Sequence, residues 1–161
     1  GTLAPMLDAI ARAPLWAEGL DFGHGTGHGV GYFLNVHEGP QSISKAAPDA
    51  NMAMQAGMIT SIEPGLYRPG QWGIRIENLV LNVPVPPAVP DAAPGAPEHG
   101  HYLAFETLTL CPIDTRCLDM ALMRADEIQW LNDYHAEVLR RLSPLVSGDA
   151  LAWLQLRTLP I

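Results

Sequence analysis

Cysteine, basic side chains and long apolar runs are all scarce in this chain. Cys111 and Cys117 are the only two cysteines, six positions apart with Pro112 between them. That excludes a disulfide framework and leads us to expect two reduced thiols in a cytoplasmic protein. Nine Lys and Arg stand against 17 Asp and Glu, for a net charge of −8. A chain of this sign repels phosphate backbones, so nucleic acid is not the expected partner. No apolar run approaches the roughly 20 residues that span a bilayer, so no membrane partner is expected either. No secretory leader and no internal repeat are visible. Residue 1 is Gly and the first Met is Met6, inside a helical pattern. The expectation is that this N-terminus was made by cleavage or by design rather than by the start of translation.

What is present suffices for a packed core. Hydrophobic residues make up 48% of the 161 and charged residues 16%. A chain of this size buries roughly 70% of its unfolded surface. Residues 2–13 read as a helix that Thr2 can cap, with Leu3, Met6, Leu7 and Ile10 on one face. Pro14 is expected to interrupt it, with a second short turn or helix from Leu15 to Leu20. A glycine-rich stretch follows from Gly23 to Gly31, and residues 41–56 read as loop. Met58–Glu63 is strand-like and ends at Pro64-Gly65. Trp72–Asn82 reads as one strand, with Ile74, Ile76, Leu79 and Leu81 apolar and a bulge near Asn78.

Residues 83–97 carry six prolines and read as a surface insertion of polyproline character. Tyr102–Cys111 resumes as a strand. Residues 125–142 form an amphipathic helix with Ile128, Leu131, His135, Val138 and Leu142 on one face. Asp149 caps a last short helix ending near Leu156. The sum is an α+β domain over residues 1–161, with antiparallel strands flanked by helices.

Chemistry concentrates in four places. His24 and His28 lie four apart in Gly23-His24-Gly25-Thr26-Gly27-His28-Gly29-Val30-Gly31. Glycine lets a ligand approach the backbone closely, and two imidazoles in such a frame point to a site rather than to packing. His37 adds a third imidazole nine residues later. Glu63 ends an apolar strand, where a carboxylate can face a cleft; alone it could equally be a surface residue. Arg75 and Glu77 share one face of a strand, which alone is commonplace. Together, imidazole and two carboxylates form a ligand set for a divalent transition metal. Oxygen donors with one nitrogen suit Mn²⁺, with Zn²⁺, Co²⁺ and Fe²⁺ as competitors. The reaction class is metal-assisted hydrolysis.

Four motifs then carry a resemblance. They are His24-Gly-Thr-Gly-His28-Gly-Val-Gly, Val36-His37-Glu38-Gly39-Pro40, Ser61-Ile-Glu63-Pro-Gly65 and Ile74-Arg75-Ile76-Glu77-Asn78. In this order they resemble the Xaa-Pro aminopeptidases (aminopeptidase P) of the pita-bread metallopeptidases. The resemblance continues through Phe105-Glu106-Thr107-Leu108-Thr109 and Trp130-Leu131-Asn132-Asp133-Tyr134-His135 to the C-terminal helix. It implies the second half of a pita-bread fold and removal of the N-terminal residue from peptides with proline second. It implies two divalent ions, usually Mn²⁺, with His28, Glu63 and Glu77 as ligands. By the same resemblance Glu63 shuttles a proton, His24 and His37 bind substrate and steady the tetrahedral intermediate, and Arg75 holds a carboxylate.

The family's other two ligands are aspartates from an upstream strand pair. Asp8 and Asp21 do not match those positions. The isolated chain is therefore expected to hold one ion or none and to be inactive. Bared apolar surface and strand edges suggest a homodimer. Two other readings stay open: a prolidase-type dipeptidase, and a pita-bread module that binds without catalysis.

Overall fold

The computed structural model describes residues 1–33, 35–85 and 102–161. They form two compact units, Gly1–Thr109 and Leu110–Ile161. Of the expected insertion at 83–97, residues 86–97 lie outside the described residues. Val83, Pro84 and Val85 belong to a strand instead.

Helix α1 (Ala4–Ala17) opens the first unit. It runs straight through Pro14, which the sequence pattern takes for an interruption. Proline forfeits one intrahelical bond there without ending the helix. The end comes at Gly19, whose φ of 68° permits a left-handed closure. Leu20 N–H bonds the Leu15 carbonyl at 2.8 Å and Gly19 N–H the Trp16 carbonyl at 3.0 Å, the paired bonds of a Schellman cap. Leu3, not Thr2, holds the N-cap position, and no side chain caps it. The buried stripe is Ala4, Asp8 and Arg12, while Met6 and Ile10 are exposed.

Five strands follow in an antiparallel sheet of order β2-β1-β3-β6-β7. They are β1 (Gly27–Val30), β2 (Ser42–Ile43), β3 (Ile59–Ile62), β6 (Asn78–Val85) and β7 (Tyr102–Thr107). The register sets His28 opposite Ser42, Gly29 opposite Thr60 and Ser61 opposite Leu79. Glycine is required in β1 by close approach. A Cβ at Gly27 would collide with the Ser61 carbonyl, and one at Gly29 with the Glu38 carbonyl.

The expected single strand over Trp72–Asn82 is two. β5 (Trp72–Arg75) pairs with β4 (Gly65–Arg68) in a separate hairpin, and the chain leaves the ladder at Ile76-Glu77 before β6 begins. The hairpin turns at Arg68-Pro69-Gly70-Gln71. Gly70 has φ 74° and Gln71 N–H bonds the Arg68 carbonyl at 2.9 Å, as a type II turn requires. Because of the break, Val80 and Asn82 face inward on β6, in place of the expected Leu79 and Leu81. Ala4, Ile43 and Met54 form the apolar centre between α1 and the sheet.

The second unit is helical. α2 (Ala125–Leu142) has the bounds that periodicity predicts and buries Leu131, Tyr134, His135 and Val138. α3 (Gly148–Arg157) adds Leu154 to that core. Ser147, not Asp149, sits at the N-cap of α3; Asp149 lies in its first turn, where a carboxylate favours the helix dipole.

Candidate active site

Six side chains singled out by the sequence come to one edge of the first unit. His24 precedes β1, His28 lies within it, and His37 sits on the loop from β1 to β2. Glu63 follows β3, Arg75 ends β5, and Glu77 occupies the break before β6. The antiparallel pairing of β1 with β3 and of β3 with β6 brings these distant segments together.

Glu63 is the centre. It is buried, and its backbone N–H donates to the Thr26 carbonyl at 2.7 Å. The Ser61 hydroxyl donates to its Oε1 at 3.0 Å and also accepts the His28 N–H at 3.0 Å. Arg75 Nη1 donates to its Oε2 at 3.2 Å. His28 Nε2 lies 3.1 Å from Glu63 Oε1, and the His37 ring packs on His28 with centroids 4.3 Å apart. Glu77 is half exposed, with Arg75 Nη1 4.0 Å away.

The carbonyl partners fix the tautomers. Gly25 O only accepts, so the His24 Nδ1 contact of 2.7 Å places the proton on Nδ1. His24 Nε2 then accepts from the Tyr67 hydroxyl at 2.7 Å, and that hydroxyl accepts from Arg75 Nε at 2.9 Å. The hydrogen bond from Arg75 to Tyr67, with the charges of Glu63 and Glu77, holds the guanidinium above its usual pKa.

His28 Nδ1 likewise donates to the Gly29 carbonyl at 3.0 Å. Its Nε2 therefore turns either a second proton or a bare lone pair to Glu63. A lone pair and a carboxylate oxygen 3.1 Å apart sit as two adjacent ligands of one cation sit, each about 2.1 Å from it. The donor pair thus fits a divalent ion in type and spacing. Among the described residues, no three His, Cys, Asp or Glu side chains group as a metal cluster. Glu77 stands apart from the pair, with Arg75 between the two carboxylates.

Sequence reasoning missed Ser61 and Tyr67. Tyr67 was legible in principle, because Pro69-Gly70 between two extended runs signals a hairpin that folds Tyr67 back beside Arg75. Ser61 has no such signal, since only the strand register shows its hydroxyl shared between His28 and Glu63.

A family model described as metallopeptidase family M24 matches residues 1–83, and one for the C-terminal region of peptidase M24 matches residues 101–161. A probable Xaa-Pro aminopeptidase P from Coprinopsis cinerea is 48% identical over 100% of this chain and 25% of its own length. Aminopeptidase P2 of Arabidopsis thaliana is 50% identical over 100% of this chain and 22% of its own. The chain spans about a quarter of the length of the curated relatives it matches. The crystal structure of an X-prolyl aminopeptidase from Caenorhabditis elegans superposes with a TM-score of 0.85 at 42% identity. It covers 100% of this chain and 25% of that one, and is described as a cytosolic enzyme with a di-nuclear active site.

Proposed function

The chain belongs to metallopeptidase family M24, and from that premise we propose that it serves an Xaa-Pro aminopeptidase. The fold is the family's pita-bread fold, of which this chain is the second half. The reaction is hydrolysis of the peptide bond between an N-terminal residue and a following proline. One observation carries the reading: His28 Nε2 faces Glu63 Oε1 at 3.1 Å with the His28 Nδ1 proton already committed to Gly29.

His28, Glu63 and Glu77 would hold divalent metal, Mn²⁺ by the balance of nitrogen and oxygen donors. The remaining ligands come from outside these residues. Bound there, the ions supply Lewis acidity to the scissile carbonyl and to the attacking water. The chain's own residues do the rest. His24, with its Nδ1 proton held by Gly25 and its Nε2 by Tyr67, presents its ring to the substrate, and His37, tilted against His28 with ring centroids 4.3 Å apart, donates to the oxyanion. Glu63, held at one oxygen by Ser61 and at the other by Arg75, takes a proton from the attacking water and passes it to the departing proline nitrogen. Arg75 fixes the orientation of both Glu63 and Tyr67.

The reading extends to a cytoplasmic homodimer. No helix among the described residues is long and apolar enough to cross a membrane. Met6, Ile10 and Trp16 leave apolar side chains exposed on α1.

The test is hydrolysis by the full-length protein loaded with Mn²⁺. A tripeptide with proline second should be cleaved, and its alanine counterpart should not. Glu63→Gln should lower kcat about a hundredfold or more. Preference for an Xaa-Pro dipeptide would mark a prolidase instead. No turnover in the metal-loaded protein would mark a binding module.

A further inference from the structure

The proposed mechanism leaves unused a charged side chain at the centre of the first unit. Arg12, on α1, is 1% exposed and is among the largest fully buried side chains described. Its Nε donates to Asp8 Oδ2 at 2.7 Å. Its Nη1 donates to Asp21 Oδ1 at 2.6 Å and to the Phe22 carbonyl at 2.8 Å. Its Nη2 donates to the His24 carbonyl at 2.6 Å. The guanidinium also lies over the Phe22 ring, 3.9 Å from its centroid, and that ring lies 5.0 Å from the His24 ring. Asp8 completes the set by accepting from the Thr26 hydroxyl at 2.7 Å. Hydrogen bonds from Arg12 and Thr26 overcome the burial of Asp8 and keep its carboxyl below the usual range.

Packing alone does not call for this arrangement. An apolar side chain of similar volume would fill the space without desolvating a charge. A guanidinium offers something else: a rigid planar fork that fixes several acceptors relative to one another. Two of its acceptors are main-chain carbonyls, of Phe22 and His24, in the segment just before β1. That segment lies outside the strand ladder, which begins at Gly27. The carbonyls there find in Arg12 the partner that strand residues find in a neighbouring strand.

We propose that Arg12 is a positioning residue for His24. The inference rests on the reading above, in which the His24 imidazole meets the peptide. Arg12 grips His24 by two routes, the backbone carbonyl and the Phe22 ring. With both in place the imidazole is held where Nδ1 reaches Gly25 and Nε2 meets Tyr67. With the grip lost, residues 21–25 keep their sequence but not their anchor on α1, and the ring leaves its place.

The experiment is a double-mutant cycle in the full-length, metal-loaded enzyme, read as kcat and KM on a peptide with proline second. Metal content and melting temperature are measured for each variant. Arg12→Lys keeps the charge and removes the fork. It should lower kcat/KM by about tenfold to a hundredfold, the scale of a small misplacement of a catalytic group. His24→Ala should lose at least as much. The double variant should then lie within about twofold of His24→Ala alone, because two steps of one path do not add. Independent losses that multiply, or wild-type kinetics in Arg12→Lys, would overturn the proposal while leaving the role of His24 intact. Wild-type kinetics in His24→Ala would overturn that role and the proposal with it. If Arg12→Lys does not fold, Phe22→Leu takes its place, since it keeps the cation and removes the ring between Arg12 and His24. A loss that disappears beside His24→Ala supports the proposal. An unchanged kcat/KM, or a loss that persists beside His24→Ala, overturns it.

Discussion

The helix that opens the first unit and the helix that dominates the second bury opposite chemistry. α1 turns Asp8 and Arg12 inward and leaves Met6 and Ile10 exposed. α2 turns Leu131, Tyr134 and Val138 inward and leaves Glu137, Arg140 and Arg141 paired on its surface. Around α1 the buried set continues in polar groups: Thr26, Gln41, Thr60, Ser61 and Glu63. Their side chains tie separate segments together: the Thr26 hydroxyl reaches Asp8 on α1, and the Ser61 hydroxyl joins β3 to β1 through the His28 N–H. Gln41 Nε2, for instance, reaches both the Ile59 carbonyl at 2.9 Å and the Thr60 hydroxyl at 3.2 Å. The lesson is that the first unit uses its interior to place functional groups, and the second uses its interior to stay folded. Directional bonds specify geometry but add little net stability, whereas apolar burial does the reverse.

The comparison breaks most sharply at Arg12. Arg12→Met fills much of the same volume but leaves Asp8 buried without its cation. That should cost about 3–5 kcal/mol, the penalty of stranding one partner of a buried pair. Denaturant unfolding followed by circular dichroism would measure it. Replacing Asp8 by Asn in the same chain should recover part of the loss, because a neutral amide costs less to bury than a carboxylate. If Arg12→Met were as stable as the parent, the polar interior of the first unit would be incidental.

In the second unit the matching cut is Leu131→Ala. Leu131 is buried against Tyr134, Val138 and Leu154. Removing its branched end leaves a cavity and should cost about 2–5 kcal/mol. Here no rescue by charge is expected. Only refilling the volume, for example with Met, should restore most of the stability.

The same contrast explains what could be read from the sequence. α2 was legible to the residue, because a face of Ile128, Leu131, His135, Val138 and Leu142 at helical spacing has one stable solution. α1 was legible as a helix but not in its orientation. Periodicity assigns the interior to Met6 and Ile10, and nothing local announces that Asp8 and Arg12 displace them. Their partners, Asp21, Phe22 and His24, lie in a different segment. At the site, His24, His28, His37, Glu63, Arg75 and Glu77 were all legible as types in a pattern. The break at Ile76-Glu77 that separates Arg75 from Asn78 was not, because Ile74, Ile76, Leu79 and Leu81 nearly continue one alternation. A chain break between two strands leaves the same apolar trace as a bulge within one.

The smallest effect expected is a pH dependence in the second unit, where an imidazole lies within the apolar core. His135 is fully buried, and its Nε2 accepts the Ile113 N–H at 3.0 Å. Its Nδ1 is buried without a hydrogen-bond partner among the described residues. Burial pushes the imidazole below its ordinary value of 6.5. The folded chain therefore binds fewer protons at this residue than the unfolded chain once the pH falls to 6.5 and lower. Stability from this group is full above that value and is lost as the pH drops through it. The slope cannot exceed about 1.4 kcal/mol per pH unit, the limit for a single proton. His135→Gln offers the Ile113 N–H an amide oxygen but cannot titrate. Unfolding curves between pH 5 and 7.5 should show the slope in the parent chain and a flatter profile in the variant. An equal slope in both would place the acid sensitivity outside this imidazole, among carboxylates that arginine partners hold below their usual range, such as Asp8 in the first unit and Asp114 or Glu137 in the second.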